Sequence, residues 1–125
     1  MRSLVALLLI LTATSARAEL PSANDGAVLQ ALGSGRPTVI DLGARACIPC
    51  KKMAPILEGL AKEYRGRASV LFIDVHENQP TARQFRVQMI PTQVFFDARG
   101  KEVKRHIGFM DKAAIVAELK GLGVK

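Results

Sequence analysis

The chain has 125 residues, 49% of them apolar, a formal net charge of +7, two cysteines and no tryptophan. That length suits one domain and leaves little room for a second. Two histidines without finger spacing cannot complete a protein-only zinc finger with Cys47 and Cys50, and Lys51 stands where a c-type haem site needs a histidine, so both chemistries are excluded.

The first eighteen residues read as an address. Arg2 supplies a basic start, Leu4 to Leu11 is an unbroken apolar run, and Ala16-Arg17-Ala18 is a small-x-small ending, so a secretory signal over residues 1–18 with cleavage before Glu19 is expected. Eight apolar residues are too few to cross a hydrocarbon core of ~30 Å. No cysteine lies near the cut to carry a lipid. Removing this segment takes away two arginines and no acid, leaving a charge of +5 on a single domain of residues 19–125. The expected location is periplasmic or otherwise extracytoplasmic, where a disulfide persists.

Ala27 to Leu32, closed by Gly33-Ser34-Gly35, predicts a short helix ending in a turn. Thr38 to Leu42 is rich in β-branched residues and almost wholly apolar, the pattern of a buried strand. Met53, Ile56, Leu57, Leu60, Ala61 and Tyr64 then mark one face of a long helix, stopped at Gly66 and bent where Pro55 removes an amide. Ser69 to Asp74 predicts a second strand, followed by a polar turn at His76 to Gln79 and a short helix ending near Phe85. Thr92 to Asp97 and Glu102 to Ile107 form a hairpin around Ala98 to Lys101. A last helix, capped by Asp111, turns Ile115, Leu119 and Leu122 inward. Alternation followed by a terminal hairpin predicts an α/β fold, a mixed sheet with helices on both faces.

Cys47-Ile48-Pro49-Cys50 falls between the first strand and the long helix. A thiolate there meets unpaired amides and the positive end of the helix dipole, so its pKa is expected below the free value of about 8.5. Cys47 is the attacking sulfur and Cys50, one turn further in, the resolving one. As a mere staple the pair is poorly placed, because so short a loop constrains the unfolded chain little. A C-x-x-C beside a βαβ pattern is a redox signature.

These residues resemble the thioredoxin family over nearly all of residues 19–125. The likeness runs through Cys50-Lys51-Lys52-Met53-Ala54-Pro55, Ile73-Asp74-Val75-His76-Glu77-Asn78, Phe85-Arg86-Val87 and Ile90-Pro91-Thr92, and on through Phe95-Phe96, Gly100, Val103 and Gly108. The resemblance implies a thioredoxin fold with a central sheet of four to five strands. It implies a cis Pro91 facing the cysteines, with Ile48, Pro49, Ile90, Pro91 and Thr92 forming the substrate groove and the backbone of Ile90 pairing with an extended client. Asp41, six residues before Cys47, matches the family's buried carboxylate. Its apolar neighbours imply a raised pKa and proton exchange with Cys50.

The chain also departs from the family. Phe72 stands where many relatives have a lysine near the acid, which leaves Asp41 easier to protonate. The aromatic lead into the first cysteine is replaced by Leu42-Gly43-Ala44-Arg45-Ala46, and Ile48 replaces the usual glycine. Arg99, Lys101, Lys104, Arg105 and His106 cluster around the hairpin and read as a solvated face rather than a nucleic-acid site. His76 and His106 read as surface residues.

The resulting expectation is an exported, monomeric thiol-disulfide oxidoreductase whose cofactor is its own dithiol. Its clients are disulfide-containing proteins, and a membrane thiol donor supplies electrons if it reduces. Pro49 and the lack of a histidine in the tetrad resemble the reducing members. An oxidant or isomerase, a binding module with an inert bridge, and a soft-metal carrier are the alternatives.

Overall fold

A computed structural model describes residues 19–125; the expected signal segment lies outside the described residues. The elements, in chain order, are α1 (Asp25–Leu32), β1 (Thr38–Gly43), α2 (Ile48–Glu63), β2 (Ser69–Asp74), α3 (Gln79–Gln84), β3 (Thr92–Phe96), β4 (Glu102–Ile107) and α4 (Lys112–Gly121). They form one four-stranded sheet in the order β2-β1-β3-β4, with β1 parallel to β2 and antiparallel pairing elsewhere. The sheet thus has four strands, the lower end of the expected range.

Every residue of β1 is buried, as expected of a largely apolar strand covered on both faces. Alternation sorts the side chains into two cores. Val39, Phe72 and Phe95 meet Met53, Leu57 and Leu60 of α2 and Ile115 and Leu119 of α4 on one face. Ile40, Leu42, Ile73, Val94 and Phe96 meet Val28 of α1 and Ala82 and Phe85 around α3 on the other. The edge strand β4 is mostly exposed and carries Glu102, Lys104 and Arg105, charges that discourage pairing with another strand.

The basic cluster around the hairpin is partly occupied. Lys104 pairs with Glu118 of α4, and Arg105 pairs with Glu102 at 2.8 Å while donating to the carbonyl of Phe85 at 2.5 Å. Gly100 closes the hairpin at φ +79, and a Cβ there would stand 2.7 Å from the carbonyl oxygen of Leu32.

One boundary differs from the sequence expectation. Helix α1 starts at Asp25 rather than Ala27, because the Asn24 side chain accepts the amide of Ala27 and makes Asn24 the cap. Helix α2 runs through Pro55, which is exposed, so the backbone carbonyl freed one turn earlier can face solvent. Among the described residues no helix is long and apolar enough to cross a membrane.

Candidate active site

The cysteines meet where β1 delivers the chain to α2. Cys47 and Cys50 are joined as a disulfide with their Cα atoms 5.1 Å apart. Cys47 is extended, and its sulfur is the cap acceptor of α2, taking the amide of Cys50 at 3.4 Å. Pro49 sits in the first turn, where a missing amide costs the helix nothing. The two sulfurs have unequal surroundings. Cys47 is half-buried between exposed neighbours, whereas Cys50 is only 5% exposed.

Cys50 is packed against Gly43, the last residue of β1. A Cβ at Gly43 would lie 3.1 Å from the Cys50 sulfur and 3.4 Å from the Phe72 ring, so only glycine lets the strand end approach the helix this closely. The strand expected from sequence ends at Leu42, one residue short of this contact.

Asp41 lies two residues earlier on β1, on the same face and therefore about 7 Å along the strand from Gly43. It is fully buried. One carboxylate oxygen accepts from Gln93 Nε2 at 2.8 Å, and the other has no hydrogen-bond partner among the described residues. Burial pushes its pKa up to about 6, against the smaller opposing effect of the Gln93 hydrogen bond. Phe72 pairs directly with Asp41 across the parallel ladder, so an aromatic ring occupies the position beside the acid. The Arg45 guanidinium covers that ring at 5.2 Å from its centroid and pairs with Glu19 at 2.9 Å and Glu77 at 2.7 Å.

The loop before Cys47 is held by a residue that sequence reading treated only as part of a motif. Asp74, at the end of β2, accepts backbone amides from Arg45 at 3.1 Å, His76 at 2.8 Å and Glu77 at 3.0 Å. Burial pushes its carboxyl up, but these donors prevail and hold it below the ordinary carboxylate range. Asp74→Ala should therefore cost about 2 kcal/mol at neutral pH in urea denaturation, since three amides lose their acceptor. The wild-type contribution is present above the ordinary carboxylate pKa and disappears as pH falls through the depressed value, so the variant's deficit should shrink in acid.

Around the sulfurs the other expected groove residues fall into two sets. Ile48 and Pro49 are exposed and Ile90 is half-buried. Pro91 and Thr92 are buried, and the Ile90–Pro91 peptide bond is cis. The Thr92 hydroxyl donates to the carbonyl of Met89 at 2.6 Å, so its side chain fastens the loop from within instead of facing a ligand. Gly108 donates to the carbonyl of Pro91 at 2.8 Å, and the amide of Met110 lies 3.4 Å from the sulfur of Met53 on α2. These contacts bring the β4–α4 turn to the same end of the sheet as Pro91 and the start of α2. The exposed apolar residues there are Ile48 (72%), Met89 (63%), Ile107 (62%) and Phe109 (45%), of which sequence reading had singled out only Ile48.

His106 differs from the sequence expectation. It is half-buried, and its Nδ1 lies 2.8 Å from the side-chain oxygen of Gln93. His76 is exposed, as expected of a turn residue. Among the described residues there is no group of three or more His, Cys, Asp or Glu side chains able to hold a metal ion.

Residues 21–121 match the family model described as Thioredoxin. The chain belongs to the thioredoxin family. It is 41% identical over 98 residues to a thioredoxin of Mycolicibacterium smegmatis, a match covering 77% of this chain and 87% of that protein. It is 42% identical over 88 residues to the bifunctional thioredoxin reductase/thioredoxin of Mycobacterium leprae, covering 70% of this chain but only 19% of that longer protein. In three dimensions it is similar to a mutant thioredoxin from Halobacterium salinarum, with a TM-score of 0.72 and 28% identity over 82% of this chain and 88% of the other.

As a thioredoxin-family member the chain is a thiol-disulfide oxidoreductase acting through its own C-x-x-C dithiol, with no external cofactor, on disulfide-containing proteins.

Proposed function

We propose that this chain is an exported, monomeric reductase of protein disulfides. The observation that carries the redox assignment is the inequality of the two sulfurs: Cys47 caps α2 at the surface, and Cys50 is buried behind it on the side of the sheet that carries Asp41. The amide at the helix cap and the dipole stabilise a Cys47 thiolate. That thiolate attacks a client disulfide, forming a Cys47–client bond and releasing one client thiolate. Asp41, ionised above its raised pKa, takes the proton of Cys50. The Cys50 thiolate then attacks the Cys47 sulfur, closes the Cys47–Cys50 disulfide and releases the second client thiolate, so two electrons pass to the client.

Ile48, Pro49 and Pro91 line the approach to Cys47, and the backbone of Ile90 pairs with an extended client segment. Met89, Ile107 and Phe109 widen that surface with apolar contacts, in place of the aromatic lead that many relatives carry before the first cysteine.

The reducing direction is supported by Pro49 and by the lack of a histidine between the cysteines. Export is supported by the pattern of residues 1–18 and requires a membrane thiol donor to return electrons to the pair. Equilibration with glutathione or dithiothreitol tests the direction. A reductase should give a potential below about −200 mV, and a value well above it would identify an oxidant or isomerase. Intact mass of protein recovered from the cell envelope tests export: a chain beginning at Glu19 is expected, and a full-length chain confined to the cytosol contradicts it.

A further inference from the structure

The pairing register places four side chains on one transverse rung of the sheet. Phe72 of β2 pairs with Asp41 of β1, Asp41 with Gln93 of β3, and Gln93 with His106 of β4. Paired residues point to the same face, here the face covered by α2 and α4, as Phe72 in that core and the Lys104–Glu118 pair show. Along this rung Gln93 Nε2 donates to Asp41 Oδ1 at 2.8 Å, and Gln93 Oε1 lies 2.8 Å from His106 Nδ1. Gln93 is fully buried and His106 half-buried, so the chain of hydrogen bonds runs from the acid beneath the cysteines to the edge of the sheet.

The donor pattern has a direction. An ionised carboxylate only accepts, so the amide must present its NH₂ group to Asp41 and its oxygen to the ring. The ring must then carry its proton on Nδ1. A glutamine turned the other way would set two oxygens against each other at Asp41. We propose that His106 is a positioning residue for Asp41: by donating from Nδ1 it locks the Gln93 amide with NH₂ toward the carboxylate and so favours the ionised form that receives the Cys50 proton. This inference rests on the reading of Asp41 as the proton carrier.

The other charged or titratable groups on the elements of this face include Cys50 and the buried Glu58 on α2, Lys104 on β4 with its partner Glu118 on α4, and the exposed Lys51, Lys52 and Lys62 of α2 and Lys120 of α4. Lys112 of α4 pairs with Glu63 of α2 at 2.9 Å, and Asp111 caps α4 through the amide of Ala114. On β2 the rung position is Phe72, which carries no charge. Gln93 is the one side chain that hydrogen-bonds Asp41 among the described residues, so the acid's polar support passes through a single amide.

The test is a pH titration of the oxidised protein by NMR, following the Asp41 carboxyl carbon and the His106 ring nitrogens. In the wild type the ring should be protonated on Nδ1 when neutral. His106→Leu should move the Asp41 midpoint upward by about half a pH unit or more, the size expected for losing the support of one hydrogen bond. His106→Asn, whose side-chain nitrogen falls near the place of Nδ1, should restore it. Gln93→Leu should raise the midpoint at least as far, and adding His106→Leu to it should change nothing more. An unmoved Asp41 midpoint in folded His106→Leu, or a neutral His106 ring protonated on Nε2, overturns the proposal. These readouts do not involve turnover. If Asp41→Asn reduced disulfides at the wild-type rate, the proton-carrier reading would fall while the coupling of His106 to Asp41 would still be measured.

Discussion

Cys50→Ser will stop the reaction halfway and leave client proteins attached to Cys47. A serine hydroxyl cannot displace the Cys47 sulfur from a mixed disulfide, whereas Cys47 keeps its exposure and its place at the cap of α2. Adducts should be visible by non-reducing mass spectrometry, disappear on treatment with dithiothreitol, and be absent from the Cys47→Ser variant, whose remaining thiol is buried. Turnover should fall to background in both variants. The identity of the trapped proteins then reads out client preference at a surface that exposes Ile48, Met89, Ile107 and Phe109.

Asp41→Asn should make the protein more stable and less active. The folded-state pKa of Asp41 is about 6 against an ordinary value of 3.8, so between these values the native state binds the extra proton. Stability therefore falls as pH rises through that interval and stays at the lower level above it. A shift of about two units corresponds to roughly 3 kcal/mol. The asparagine variant, with nothing to ionise, should gain up to about 3 kcal/mol over the wild type at pH 8 in urea denaturation and little at pH 4. Its turnover at pH 7 should fall by on the order of 10²-fold, the scale of a lost general base. The opposite sign holds for Asp74, whose carboxyl is depressed by the amides it accepts, so the two buried aspartates separate cleanly in a pH series.

The thiol chemistry was legible because it lies in local sequence. Four consecutive residues, a preceding strand and a following amphipathic helix are enough to place Cys47 and Cys50 at a helix start, and the resemblance to the thioredoxin family points to Asp41 six residues earlier. The burial of Asp41 followed from Ile40 and Leu42 beside it. Other parts of the site depend on which residues face each other across strands. Gln93 reads as an ordinary strand residue and His106 as part of a basic surface run; only the register of β1, β3 and β4 aligns them with Asp41. Gly43 falls just beyond the strand expected from sequence, and only the packed structure shows that it lets Cys50 approach the strand end. Thr92 was expected in the groove and instead turns inward, because its hydroxyl satisfies the carbonyl of Met89. Arg45 looks like a loose loop cation, yet two acids far from it in sequence hold it over Phe72.

The most direct measurement of the central claim is dithiothreitol-driven reduction of insulin, followed by precipitation of the freed chain. The wild-type protein should accelerate it well above the uncatalysed rate, and Cys47→Ser should not. No acceleration by a preparation whose Cys47 and Cys50 thiols are both titratable would contradict a redox role for the pair and leave it an inert bridge.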